Sequence, residues 1–411
     1  MRAPLCSKDP AELLSRAVIE DPHPFFERVR EAHPFSRVGE SGVHLVTTWK
    51  DILEALDREE DFSANLTGVL LRNAEGQPSI FEFPPNDGTQ VIATADEPRH
   101  AVHRQSVKPR LTEARVAAME PAVRRIAQNA VAAWLEKGGG NFVPVAEMVP
   151  AKVIGQLLGL PDGDAERHRN WAMVGGEMLA GDVDLPRMLE LARENAGMAE
   201  YLREHLARAG SGTPAPADAS LLHLLAEAMQ EGALNRSEAT GIALVMFGAG
   251  GESTSGLLGS AVRLLAADAA VAGQLRENPE AIPRFVEEVV RLEPPFKFHY
   301  RVVRRACELA GFELQPNDRL MLLWAAANRD PAIFEAPHEM RLDRKHPKHH
   351  LSFGRGGHFC VGAQLARLEA RIVIEELLDR TSRLGLDPDD PPVHARSIFT
   401  RRLETLPLIV E

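Results

Sequence analysis

Apolar positions recur with a helical period over much of the chain. Helices are predicted over 24–31, 48–56, 98–107, 112–137, 145–158, 164–179, 186–209, 268–277, 279–292 and 361–378. The glycines Gly138, Gly139 and Gly140 end the 112–137 helix. The most informative pattern covers 235–266, where GIALVMFGAG is apolar on most faces and Asn235 or Ser237 stands ready as a cap. At ~1.5 Å per residue this helix spans ~48 Å, enough to cross a whole domain. Short strands are predicted at 35–38, 43–47, 296–303, 308–309 and 319–323, with more in the tail at 398–399 and 406–410.

Three stretches break the pattern. Residues 64–94 show no clear period and carry Gly76, Pro78, Pro84, Pro85 and Gly88, so they read as a long ordered loop. Residues 342–351 (LDRKHPKHHL) are irregular and basic, and 210–217 (GSGTPAPA) reads as a surface linker between helices. There is no internal repeat. The expected architecture is a single domain over 1–411, mainly α with a minor β portion, with 1–20 as an N-terminal extension.

Composition narrows the function classes. The 47 basic and 59 acidic residues leave a net charge of −12, which argues against a general nucleic-acid binder. The three cysteines, Cys6, Cys307 and Cys360, are too widely spaced for a disulfide framework. No stretch reaches the ~18 apolar residues of a membrane span. Lys8, Asp9 and Glu12 stand where a signal peptide would carry its apolar core. A cytoplasmic protein with no membrane partner is the expectation, monomeric for want of any sign otherwise.

The sharpest local signal is FGRGGHFCVGAQLARLE, residues 353–369. A glycine-rich loop ends in one cysteine, and a helix begins at once. Gly354, Gly356 and Gly362 allow close approach and left-handed turns. Cys360 at a helix N-terminus has its thiolate favoured by free N–H groups and the dipole. Read alone, it is a cysteine buried in a tight turn, a nucleophile or a metal ligand. Zinc wants partner ligands that are absent nearby, and a nucleophile wants a His–acid pair that the sequence does not reveal. One thiolate beside open axial space suits haem iron.

The segment resembles the haem-binding loop of the cytochrome P-450 family. That family's pattern, Phe-Gly-x-Gly-x-His-x-Cys-x-Gly, stands here as Phe353, Gly354, Gly356, His358, Cys360 and Gly362, with Arg355 inside it. Further motifs follow the family's order. Glu288 and Arg291 resemble its Glu-x-x-Arg pair, a buried structural ion pair. Ala249, Gly250, Gly251, Glu252 and Ser253 are similar to its oxygen-activation motif, with Ser253 where threonine is usual and Thr254 one step on. His100 and Arg104, four apart on one helical face, and Arg301 match positions that reach the haem propionates, with His358 a further donor.

The resemblance implies a cytochrome P-450 fold with a long central helix over the haem, and a haem-thiolate monooxygenase that uses dioxygen. It makes Cys360 the iron ligand and Glu252 and Ser253 the proton relay, with Thr254 as the alternative. Glycines inside the central helix cost ~1 kcal/mol each relative to alanine, so Gly248, Gly250 and Gly251 imply a ligand's close approach, an opened helix or tight helix packing. Electrons from NAD(P)H are expected through a separate ferredoxin and its reductase, or a flavodoxin-type donor. These would dock on the Cys360 side, near Lys345, His346, Lys348 and Arg355. Candidate walls of a pocket for a small apolar substrate are Phe81, Phe83, Val245, Gly248, Ala249, Phe296, Phe298, Ile398 and Phe399, while Lys297 is expected to point to solvent. Rival readings are a peroxide-driven peroxygenase, whose relatives carry Arg–Pro in place of the acid–alcohol pair, and a haem-binding sensor or carrier without turnover.

Overall fold

The computed structural model of the chain describes residues 1–83, 89–211 and 219–411. Pro84, Pro85 and Gly88 of the expected loop, and most of the expected 210–217 linker, lie outside the described residues. The frame is the central helix, Arg236–Ala267. Asn235 opens it with a reciprocal cap: its side chain accepts the Glu238 N–H, and the Glu238 carboxylate accepts the Asn235 N–H. Ile242, Ala243, Leu258, Ala261 and Leu265 are fully buried, as a helix through the middle of a domain requires.

Around it pack Val143–Leu158, Leu185–Gly210, Ile282–Leu292 and Ala363–Arg380, and Glu113–Leu135 lies against the first and last of these. The helix expected over 164–179 is two, Ala165–Ala172 and Val174–Met178. The Gly175–Gly176 pair supports a long helix poorly. Leu221–Gln230 is a helix that the sequence reading did not place.

To one side lies a five-stranded sheet in the order Phe35–Arg37, Val43–Val46, Arg319–Leu322, His299–Val303, Phe62–Ser63. Arg319–Leu322 pairs parallel with Val43–Val46; the other pairings are antiparallel. The strand expected from 296 starts only at His299, because Phe296 bridges instead to Thr400. Ile398 and Phe399 form no strand; their backbone meets Ala180 and Lys297.

Two expectations are corrected at the N-terminal end. The stretch 64–94 holds a hairpin, Gly68–Arg72 against Pro78–Glu82, closed by Asn73, whose side chain accepts from Glu75 and Gln77 N–H, and by Gly76 at φ 77°. The first twenty residues are built into the fold. They form Pro10–Leu14 and Arg16–Glu20, and Leu13, Leu14 and Ile19 are buried in the core beside Phe25 and Phe298.

Candidate active site

The cysteine loop is folded by its glycines and its own backbone. Gly354 and Gly356 adopt φ 69° and 66°, where a side chain is strained. The Gly354 N–H meets the Leu351 carbonyl at 2.8 Å, and the Cys360 N–H meets the Phe353 carbonyl at 2.7 Å. The chain then enters the Ala363–Arg380 helix through Gly362. Cys360 is open to a cavity, yet deep enough that burial pushes its thiol up. The N–H groups of Gly362 and Ala363 and the charges of Arg104 and Arg367 oppose that shift and favour the thiolate. The Arg367 guanidinium lies 4.4 Å above the Phe353 ring and is paired with Glu287 at 2.6 Å, so the aromatic wall beside the cysteine is fixed from behind.

The cavity, about 1400 Å³ with its open mouth, lies between this loop and the central helix. On the loop side it is lined by Phe353, Gly354, Arg355, His358, Cys360 and Gly362. The central helix supplies Val245, Ala249, Gly250, Ser253 and Thr254, and Phe296 closes one end.

Two arginines and two histidines stand at one edge. His100, Arg104, Arg301 and His358 all line the cavity. His100 and His358 stack with centroids 3.9 Å apart. Burial first, then Arg301, His100 and Arg104, drive His358 down to about 3. Burial holds the Arg301 guanidinium down to about 10. Nδ1 of His100 is bonded to Glu97 at 2.8 Å, while Nε2 is buried without a protein partner among the described residues. The guanidinium donors of Arg104 and Arg301 in such a cluster suit an anion that accepts from them.

The opposite wall corrects several expectations. Glu252 is buried but does not line the cavity. It faces the backbone N–H of Gly176, the Thr400 hydroxyl and Arg402, whose Nε is 3.5 Å away. Burial outweighs these partners and pushes its carboxyl up to about 8, so it keeps a proton at neutral pH. Ser253 and Thr254 both line the cavity, and the Ser253 hydroxyl donates back to the Ala249 carbonyl one turn earlier. The helix runs unbroken through its glycines. A Cβ at Gly250 would stand 2.9 Å from Ile154, and one at Gly251 2.5 Å from Ala172. These glycines serve close helix packing, and Gly250 also touches the cavity.

Among the described residues, Phe81, Phe83, Gly248, Phe298, Ile398 and Phe399 are absent from the cavity wall. Phe298, Ile398 and Phe399 fill a separate core, and Phe81 on the hairpin is partly exposed. Lys297, expected in solvent, is buried and donates from Nζ to the Ser397 carbonyl at 2.6 Å. Sequence reasoning missed Ile92, Met246, His299, Trp324 and Glu369 as wall residues. Nδ1 of His299 accepts the Trp324 indole N–H at 2.7 Å, and burial takes the ring down to about 4, so Nε2 carries the proton. Burial alone pushes the Glu369 carboxyl well above its ordinary range, and one oxygen has no protein partner among the described residues. Glu369 stands three and four residues on from Ala366 and Leu365, which also line the cavity, and that helical spacing was the signal that could have placed it on the same wall. Glu288 and Arg291 form the expected fully buried pair at 2.8 and 2.9 Å, and Arg344 joins Glu288 at 2.9 Å.

Comparison with known proteins agrees over nearly the whole length. A family model described as Cytochrome P450 matches residues 192–397. Cytochrome P450 144 of Mycobacterium tuberculosis is 42% identical over 407 residues, spanning 98% of this chain and 92% of that protein. The chain belongs to the cytochrome P450 family. Its fold matches CYP109E1 from Bacillus megaterium, solved with testosterone, at TM-score 0.85 and 25% identity, covering 96% of this chain and 99% of the other. It matches a mutant of P450 EryK solved with erythromycin B at TM-score 0.81 and 28% identity, covering 99% and 98%. This P450 is accordingly a haem-thiolate monooxygenase, an oxidoreductase that incorporates molecular oxygen. The residues present fit haem: a deep thiol favoured by backbone N–H groups, a large apolar cavity above it, and the orphaned Nε2 of His100 among cations suited to carboxylates. Among the described residues, no single helix is long and apolar enough to cross a membrane.

Proposed function

We propose that Cys360 is the axial thiolate of a b-type haem, and that His100, Arg104, Arg301 and His358 hold its two propionates. The observation that supports this reading most is the juxtaposition of Cys360 with Arg104, Arg301 and the orphaned Nε2 of His100 around one cavity. Haem bound through a thiolate supplies the activation of dioxygen. The protein's own work is to hold the group, exclude water and move protons. Phe353, braced by Arg367, shields the thiolate from solvent. The Gly362 and Ala363 N–H groups hold its charge in place. Ser253 and Thr254 are the hydroxyls within the cavity, and Glu252, behind the helix and protonated at neutral pH, is their proton reservoir.

The substrate is an apolar molecule, hydroxylated, dealkylated or epoxidised. The apolar walls supplied by Ile92, Val245, Met246, Ala249 and Phe296 support this. The related structures solved with testosterone and erythromycin B hold ligands of that kind. Electrons come from NAD(P)H through a separate ferredoxin and reductase. The exposed Lys345, His346, Lys348, Arg355 and Phe359 on the cysteine side suit a small acidic carrier with an apolar spot.

The reduced, carbon-monoxide-bound absorption spectrum tests the assignment. A strongly red-shifted Soret band, lost in Cys360→Ser, is expected. An ordinary Soret position in the unsubstituted protein would remove Cys360 as the ligand.

A further inference from the structure

Outside the cavity, one carboxylate joins three elements at the N-terminal end of the central helix. One Glu238 oxygen closes the cap on the Asn235 N–H at 2.9 Å. The other accepts from Arg99 at 2.8 and 2.6 Å and is bonded to His103 Nε2 at 3.3 Å. His103 is 0% exposed, and burial disfavours its charged form. Its Nδ1 accepts the Ile92 N–H at 3.2 Å. With Nδ1 accepting, the ring proton sits on Nε2 and is donated to Glu238. Arg99, His103 and Glu238 thus form a chain that ends on the backbone of Ile92.

Ile92 is where that chain does something. Its φ is 38°, a left-handed conformation that a β-branched residue adopts only under constraint. Its side chain lines the cavity. The preceding Val91 lies against the central helix at Gly241, where a Cβ would stand 3.2 Å from a Val91 methyl. The Ile92–Thr94 turn is therefore pressed onto the helix from one side and bonded to His103 from the other.

We propose that His103 is a positioning residue: it latches the Ile92–Thr94 turn in its strained form, and the wall so fixed sets which ligands the cavity accepts by their bulk. Its bearing on ligand choice rests on the haem-thiolate reading above; the latch itself does not. His103→Leu keeps the volume and removes both bonds. His103→Gln keeps an acceptor for the Ile92 N–H and a donor for Glu238.

Hydrogen exchange of the segment containing Ile92 reads the latch without any bound group. Exchange is expected to quicken about tenfold in His103→Leu and to return near the original rate in His103→Gln. Absorption titration of the holoenzyme with imidazole and with 4-phenylimidazole reads the wall. The ratio of the two affinities is expected to shift about fivefold in His103→Leu, and in the same direction in Ile92→Ala, which shortens the wall and leaves the latch. Unchanged exchange in His103→Leu overturns the latch, as does a Gln variant that behaves like the Leu one. Faster exchange with an unchanged ratio overturns the role in ligand choice. Should His103→Leu fail to fold, an unchanged ratio in Ile92→Ala does the same. A protein that binds neither azole counts against the haem reading, while exchange at Ile92 still decides the latch.

Discussion

Burial raises the Glu252 carboxyl from its ordinary 4.5 to about 8, and this has a consequence for stability. Below pH 4.5 the group is protonated folded or unfolded and contributes nothing. Between 4.5 and about 8 the unfolded chain has released the proton and the folded chain has kept it, so folding weakens as pH rises. The slope is at most about 1.4 kcal/mol per pH unit. A glutamine in place of Glu252 carries no such proton. Unfolding by urea across this range should therefore show Glu252→Gln gaining on the unsubstituted protein as pH rises to about 8, then levelling off. Parallel curves would place the Glu252 carboxyl near its ordinary value. At this scale the residues legible in the sequence are those whose spacing is local. Cys360, His358 and Phe353 come from one loop, and His100 and Arg104 from one helical turn. Glu252 was legible as an unusual acid in an apolar helix, but its direction was not. That is set by Gly176 and Arg402, distant in sequence.

The two glycines of the short Val174–Met178 helix do different things, and that separates packing from propensity. An added Cβ at Gly175 meets nothing within 4 Å, whereas at Gly176 it would stand 1.9 Å from a Glu252 carboxylate oxygen. Gly175→Ala should stabilise by ~0.5–1 kcal/mol through helix propensity and reduced unfolded-state freedom. Gly176→Ala should destabilise by ~1–3 kcal/mol, because it pushes Glu252 out of its hydrogen bond. Equal urea midpoints for the two variants would show that Glu252 has room to move. For Gly250 and Gly251 the sequence left a ligand, an opened helix and tight packing open, and the neighbours proved to be Ile154 and Ala172 of packed helices. The hairpin at 68–82 stayed hidden for a similar reason. GVLLR lacks alternation and its partner begins with Pro78, so the pairing became visible only with its turn. The long helices were legible because their period repeats many times. Glu288 and Arg291, three apart on one of them, are bonded within the helix, but their burial comes from segments far along the chain. Arg291 also donates to the carbonyls of Asn328, Pro337 and Glu339. Arg291→Met should cost ~3–5 kcal/mol by stranding the Glu288 charge; a cost below about 1 kcal/mol in urea unfolding would mean that Arg344 alone satisfies it.

Across the whole molecule the charge is distributed against the average. The chain carries −12 overall, yet the segment leading into the cysteine loop exposes Lys345, His346 and Lys348, and the loop itself exposes Arg355 and the half-exposed Phe359. Arg104 donates to the Phe359 carbonyl at 2.6 Å, so one of the cations at the cavity edge also holds the backbone of this outer surface. An acidic electron carrier is repelled by the molecule at long range and drawn to this face at short range, and both forces are screened within a Debye length of about 8 Å at physiological salt. Where the local patch dominates, reduction by a ferredoxin at sub-saturating concentration slows as salt rises. Lys345→Glu with Lys348→Glu should lower that rate by about tenfold or more at low salt and flatten its salt dependence, with the carbon-monoxide spectrum unchanged. If the global charge dominates instead, reduction quickens with salt and the double variant changes little. The carrier then docks elsewhere, or without electrostatic steering.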